Sequence, residues 1–510
     1  MAQNSLKRLF SDTMIYGMSS IVGRFLNYLL VPLYTYRIAA ATGGYGVVTE
    51  IYAYTALMLV ILTFGMETTF FYFANKYRER ADGVFSTAAL TVGCVSVAFV
   101  VLVAVFIGPV SRAMGYAAHP EYVTMMGCVV AIDAFQAIFF ALLRFEGRPW
   151  KFAALKLLFI FCNIGLNLFV FLVAPGLYAR HAGLMGWYNP DYQVGYIFVV
   201  NLVCTAGVTL GFLPEMRKLR WGVDLRLLGE MLRYTWPLLL FGIAGILNQV
   251  ADKICFKHLL PGDEGEVQLG IYGACVKIAM IMAMITQAFR YAYEPFVFGS
   301  GVRAASEDAH KSKENQAAVM KYFVMFALLA FLLVMAYLDD VLKYVISPGY
   351  WEGLRVVPIV MMAEILMSVY FNLSFWYKLI EQTWWGAVFS AAGCVALLAV
   401  NVAFVPRYGY MACAWGGVVG YGVCVLLSWL VGRRKNPVPY RLLPMAGYFA
   451  LALGLYAATV WLRPESLGWR LVLNTGVVLV YVAVVLYNER ALVGGLLQLL
   501  KSRFQKRRLS

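Results

Sequence analysis

Apolar residues fill this chain in long blocks, and the polar positions collect in the short stretches between them. Fourteen blocks stand out, at about 13–40, 47–73, 84–108, 122–143, 152–174, 193–213, 234–256, 269–299, 319–338, 354–377, 386–405, 412–432, 442–462 and 470–487. An α-helix needs about 20 apolar residues to cross the hydrocarbon core. The pattern therefore predicts an all-α polytopic membrane protein of about 14 transmembrane helices.

Some blocks break their own pattern. The pair running from Trp236 to Phe298 carries Asn248, Gln249, Asp252 and Lys253 on its first arm, and Lys277, Arg290 and Glu294 on its second. An ionised side chain at the bilayer centre costs roughly 2.5–3.5 kcal/mol even on the lenient insertion scale. Such groups persist where they face one another, water or a charged cargo. Asn248 and Asp252 share a helix face by their four-residue spacing, and so do Arg290 and Glu294. The hairpin is expected to wall a polar cavity. Asp252 and Lys253 are neighbours, so their side chains leave the helix about 100° apart and are not expected to face one partner. In the first block Arg24 sits with Gly17, Ser20 and Asn27 at three- and four-residue steps. Its guanidinium suits either an anion contact, by a bidentate fork on phosphate oxygens, or a structural pair with Glu50 or Asp133. Arg24, Asn27, Asn248, Asp252, Lys277 and Arg290 are the candidate substrate contacts. Glu50, Glu67, Glu294 and Glu364 are the candidate gating or ion-coupling carboxylates. For Glu67 a pair with Lys76 or Arg78 is the plainer alternative, and for Glu294 a pair with Arg290.

The chain also echoes itself. Tyr45-Gly46 leads to Glu67 at the spacing with which Tyr272-Gly273 leads to Glu294, an offset of 227 residues between the sets. The same offset lays Glu50 on Lys277 and Thr63 on Arg290. Internal repeats with the substrate at their interface are a common plan for transporters. The expected organisation is a six-helix lobe at 1–222, an interfacial helix and a second six-helix lobe at 223–435, and two additional helices with a basic tail at 436–510. Leu225, Leu228 and Leu232 give the interfacial segment its helical stripe.

Composition agrees with the pattern. Of 510 residues, 62% are hydrophobic and 14% charged, with a mean hydropathy of +0.72. The first block is too long for a signal-peptide core. The net charge of +15 comes from alternate loops, such as Lys76–Arg80, Arg144–Lys151 and Arg217–Arg233, and from the termini. That face is expected to be cytoplasmic, with both termini inside, against anionic membrane lipids; nucleic acid is not needed to explain it. The nine cysteines lie mostly in apolar blocks without a Cys-x-x-Cys pair, and no two of the four histidines stand at ligand spacing. No metal and no cofactor is expected. No P-loop occurs, and the acidic pieces Asp339-Asp340 and Asn189-Pro190-Asp191 stand alone in small loops, so an enzyme is not expected.

Three stretches resemble a known family. They are Thr13–Gly17 through Leu30-Val-Pro32-Leu-Tyr34 to Gly43-Gly-Tyr-Gly46; Arg233-Tyr-Thr-Trp-Pro237 through Asp252-Lys253 to Gly270-Ile-Tyr-Gly273 and Glu294-Pro295; and Asn401 to Val405-Pro406-Arg-Tyr-Gly409. They resemble the polysaccharide-transporter branch of the multidrug/oligosaccharidyl-lipid/polysaccharide exporter superfamily, the flippases of O-antigen and capsule repeat units. The resemblance implies two lobes in a V around a cavity that opens alternately to each side. It implies a polyprenyl-pyrophosphate-linked oligosaccharide as cargo, carried from the cytoplasmic to the outer leaflet of the bacterial inner membrane for surface polysaccharide or lipopolysaccharide synthesis. Arg24 would meet the pyrophosphate, and the last two helices would take the lipid tail. A polysaccharide polymerase and other assembly proteins are the implied partners. A cation-coupled multidrug exporter of the same superfamily is the alternative, which calls for an acid-lined cavity. A membrane O-antigen polymerase or ligase is the other, which calls for a sizeable outer loop.

Arg24 yields the first prediction. An Arg24→Ala protein should insert and accumulate normally but lose surface glycan, while Arg24→Lys recovers only part, because a point charge lacks the guanidinium fork. Equal glycan at matched expression would remove the anion-contact role.

Overall fold

The computed structural model describes residues 17, 22–23, 25–181, 183, 185–303, 309–380 and 382–490; at 288, 290–303 and 309–312 it describes the backbone alone. Arg24 therefore lies outside the described residues, as do the side chains of Arg290 and Glu294.

The described chain is helical, with no strand. In order the helices are α1 (Leu30–Arg37), α2 (Gly44–Thr63), α3 (Met66–Lys76), α4 (Ala81–Val105), α5 (Ile107–Ala113), α6 (Pro120–Phe145), α7 (Pro149–Leu168), α8 (Ala174–Arg180), α9 (Gln193–Thr209), α10 (Leu213–Met216), α11 (Leu225–Leu259), α12 (Asp263–Arg303), α13 (Ala309–Leu338), α14 (Val357–Leu373), α15 (Phe375–Leu379), α16 (Trp384–Tyr408), α17 (Tyr410–Lys435), α18 (Leu442–Trp461) and α19 (Leu467–Asn488). Thirteen segments among the described residues are long and apolar enough to cross a membrane. The expected block at 13–40 is the fourteenth, and much of it falls outside the described residues. The outward faces are apolar, as at Val101, Leu102, Phe161, Val395 and Leu426. This is a multi-pass membrane protein.

Two local details depart from the pattern. The expected interfacial helix at 223–233 is not separate: α11 runs unbroken from Leu225 to Leu259, with Pro237 inside it. The Asp224 carboxylate caps its start, accepting from the Arg226 and Leu227 amides at 3.0 and 3.2 Å, which satisfies donors that a helix start leaves open. The block at 47–73 is broken in the middle. Phe64 (φ 35°) and Gly65 (φ 75°) take left-handed backbone, which ends α2 and starts α3 at Met66, one residue before Glu67.

The chain forms two compact units. One takes Met1–Pro295 and Ile346–Asn436, the other Phe296–Val345 and Pro437–Ser510. In the first, a core of Phe70, Phe85, Phe139, Phe212 and Met231 joins α3, α4, α6 and α11 to the short turn after α9. In the second, α13 and the turn after it meet α19 and its C-terminal end through polar groups that lipid would otherwise strand. Lys321 pairs with Glu489 at 2.6 Å, Arg470 with Asp340 at 3.0 Å, and the Tyr481 hydroxyl donates to the Met325 carbonyl at 3.0 Å.

Glu215, in α10, is fully buried and takes Arg148 at 2.8 Å and Lys151 at 2.6 Å. Removing a buried ion's partner leaves uncompensated charge. A Glu215→Leu protein should lose about 1–3 kcal/mol, below the fully buried range because Arg148 keeps part of its water. Thermal unfolding in detergent checks this; an unchanged midpoint would show that the two cations need no anchor.

Candidate functional site: a polar cavity closed at one end

A cavity of about 870 Å³ runs through the first unit. Its lining alternates by origin. Asn27 and Tyr28 from the segment before α1, Tyr34 (α1), Tyr45, Thr49 and Tyr52 (α2), Asn163 (α7) and Asn201 (α9) give it, among the described residues, an uncharged wall of amides and phenols. Asn248, Gln249, Asp252 and Lys253 (α11), Tyr272 and Lys277 (α12) and Glu364 (α14) give the other wall every described charge. Five candidates from the sequence thus meet in one space: Asn27, Asn248, Asp252, Lys277 and Glu364.

The charged wall has a definite order. Asp252 accepts from the Tyr272 hydroxyl at 2.8 Å and pairs with Lys253 at 3.0 Å. The two residues leave the helix about 100° apart, yet both line the cavity and they bond each other. Lysine's four-carbon stem curls back along the helix, bringing Nζ also to the Gln249 carbonyl at 2.9 Å, so the 100° between Cβ directions does not limit its head group. Asn248 is used differently. Its amide nitrogen donates to the Ala244 and Ser390 carbonyls at 2.9 and 2.6 Å, which ties α11 to α16. Lys277 is half-buried, and among the described residues no hydrogen bond or ion pair engages it; the one neighbouring charge that acts on it is Lys253, another cation.

The remaining carboxylates lie away from the cavity lining. Glu67 pairs with Arg144 at 2.8 Å rather than with Lys76 or Arg78. Glu50 is buried and accepts from the Tyr116 hydroxyl, while its other oxygen is buried and, among the described residues, without a hydrogen-bond partner. Burial, and then the Glu50 carboxylate, push the Tyr116 phenol well above its ordinary range, so it remains a donor. Lys257 stacks 4.1 Å over the Tyr116 ring and pairs with Glu266.

That cluster belongs to a seal at one end of the cavity. The Tyr-Gly echoes of the sequence meet there. A Cβ at Gly46 would lie 2.0 Å from the Glu266 carbonyl oxygen and 3.1 Å from the Gly270 amide, and one at Gly273 would lie 2.2 Å from Thr49 Oγ1. Helices α2 and α12 therefore touch backbone to backbone, at a distance only glycine permits. The Tyr350 hydroxyl donates to the Ile38 carbonyl at 2.8 Å, and its ring meets Tyr45 edge-on at 5.9 Å. Tyr45, Thr49, Tyr272 and Gly273 line the cavity immediately inside this contact.

The sequence reading missed the uncharged wall. Asn163 and Asn201 were legible as amides within apolar blocks, which carries the same warning as a charge. Tyr28 and Tyr52 gave no signal, since aromatic residues are common in lipid-facing helices. Tyr116 lies in a loop that only tertiary packing brings to Glu50.

No protein-family model matches the chain, and no curated protein sequence does. Its fold does have solved counterparts. It superposes with a TM-score of 0.63 and 10% identity on the lipid II flippase MurJ in an inward closed conformation, covering 93% of this chain and 99% of that one. An inward-facing multidrug resistance transporter of the MATE family, of the MOP superfamily, gives 0.62 and 14%, with 81% and 94% covered. The MATE multidrug transporter DinF-BH gives 0.60 and 14%, with 85% and 96% covered. At these identities the likeness is one of fold. The chain has the fold that these solved structures share, and they include a lipid II flippase and multidrug transporters.

The seal makes a prediction. Gly46→Val should force α2 from α12 and open the cavity at this end. With the native cysteines replaced and Thr49→Cys as reporter, labelling by an impermeant maleimide from the charge-poor side should rise severalfold. Labelling equal to that of the Gly46 protein would show that the contact does not close the cavity.

Proposed function

We propose that this chain is a flippase that moves a polyprenyl-pyrophosphate-linked oligosaccharide from the cytoplasmic to the outer leaflet of a bacterial inner membrane, by alternating access, for surface polysaccharide synthesis. The observation that carries the reading is Lys277: a half-buried cation in a membrane cavity, without an anionic partner among the described residues. A buried charge calls for a counter-charge, and here the cargo supplies it. Asp252 is already engaged by Lys253 and Tyr272, so it does not neutralise Lys277. Arg24 and Arg290 add to the anion site in this reading.

The fold is compatible with both lipid-linked and multidrug cargo, since MurJ is named a lipid II flippase and the other two counterparts multidrug transporters. An exporter of organic cations is the second reading, favoured by the presence of Glu364 in the cavity; Lys253 and Lys277 oppose it by like-charge repulsion. The lysine and arginine bias of the loops supports a cytoplasmic position for both termini, which puts the glycine seal on the outer side. Glu50 would then act in gating through Tyr116, and Glu67, Glu294 and Glu364 in gating or ion coupling. Anionic lipids would lie against the basic face, and a polymerase and other assembly proteins would receive the cargo.

The test is binding of geranylgeranyl pyrophosphate to the purified protein. A charge-assisted hydrogen bond contributes roughly 1.5–3 kcal/mol, so Lys277→Met should weaken binding about tenfold or more, with Lys277→Arg near the parent. Tetraphenylphosphonium should bind the parent weakly and Lys277→Met no worse. Unchanged pyrophosphate affinity in Lys277→Met would sink the anionic-cargo reading; tight tetraphenylphosphonium binding by the parent would favour the exporter.

A further inference from the structure

The cavity's other wall is polar where lipid-facing helices would be apolar. Its described lining from Asn27 to Asn201 contains no charge, and three asparagines stand in it. Asn27 is exposed, Asn163 is buried and Asn201 is half-buried. Asn201 donates to the Tyr52 hydroxyl at 2.7 Å, so that phenol serves as acceptor and keeps its own proton free to donate. Tyr28 goes further: its hydroxyl is buried and, among the described residues, has no hydrogen-bond partner. Leaving a buried hydroxyl unmade is costly, and a group that lines a cavity can recover that cost from what enters it.

The chemistry of this wall is specific. Amide side chains both donate and accept, and a phenol does the same from one oxygen. Together with ring faces, such groups fit an uncharged ligand rich in hydroxyls and C–H faces. A bare phosphate has no donors to offer an amide oxygen. A quaternary organic cation would gain from the rings but has no N–H to offer the amide oxygens. The two walls thus divide the cargo. The charged wall of α11, α12 and α14 takes the anionic part, and the opposite wall takes sugar.

We propose that Asn27, Tyr28, Tyr52, Asn163 and Asn201 form a saccharide-reading subsite, so that the cavity selects the glycosylated lipid over the bare lipid pyrophosphate. This rests on the flippase reading above and names the part of the cargo that sets specificity. Sites built to hydrogen-bond a hydroxyl reject ligands that lack it, because their polar groups are then left unpaired.

The experiment compares two probes on purified protein in nanodiscs: geranylgeranyl pyrophosphate, and the same lipid pyrophosphate carrying a disaccharide. The parent should prefer the glycosylated probe by about tenfold, as expected for one or two net hydrogen bonds. Tyr28→Phe deletes a hydroxyl that no described protein group uses, so no described contact is lost; it should cut the preference about three- to tenfold and leave the bare probe unchanged. Asn163→Leu should do the same if it expresses, and Tyr28→Phe decides alone if it does not. Lys277→Met should weaken both probes alike. Equal binding of the two probes by the parent, or a Tyr28→Phe protein with the parent's full preference, overturns the subsite. Loss of the anion reading looks different, as Lys277→Met then leaves both probes unchanged whatever the wall does. A parent that binds tetraphenylphosphonium more tightly than either probe would assign the wall to a cation cage and overturn the proposal as well.

Discussion

A polar group inside a lipid-immersed helix bundle has to be matched by another protein group or by something that enters, because the surrounding hydrocarbon offers nothing. Most of this structure follows from that constraint. Glu215 holds Arg148 and Lys151, Glu67 holds Arg144, Lys321 holds Glu489, and Asn248 gives both donors to carbonyls. These contacts connect helices far apart in sequence, so polar satisfaction and helix packing are one problem here. Against that background the exceptions carry meaning. Among the described residues, Lys277 and the Tyr28 hydroxyl are two of the groups left unmatched, and both residues line the same cavity.

The closed end works by a different force. Where α2 meets α12, glycines remove the side chains and let backbones touch, so dispersion over a close approach replaces polar pairing. Such a contact is tight and leaves few specific bonds to break. Around it sit polar groups that would need to re-pair on opening, namely Glu50 with Tyr116 and Lys257 with Glu266. The seal thus combines an apolar contact with a small set of exchangeable polar ones, an arrangement suited to an element with two discrete states.

The sequence by itself determined the class of protein. Helix number and the all-α character follow from hydropathy blocks, because spanning a bilayer imposes length and apolarity locally, residue by residue. It also singled out the α11–α12 hairpin, since several charges in one apolar block are legible without any neighbour. What those charges do was decided only by tertiary structure. Periodicity put Asp252 and Lys253 on different faces, while a long flexible stem brings them to one bond. Glu50 and Lys277, aligned by the repeat offset, have separate surroundings: one is buried on Tyr116 from the loop at 114–119, the other lies open to the cavity. Tyr28, Tyr52, Asn163 and Asn201 come from four separate helical segments, and no spacing along a chain encodes their meeting. A lipid-facing tyrosine and a cavity-lining one read alike in sequence, and only the packing of the helices between them separates the two.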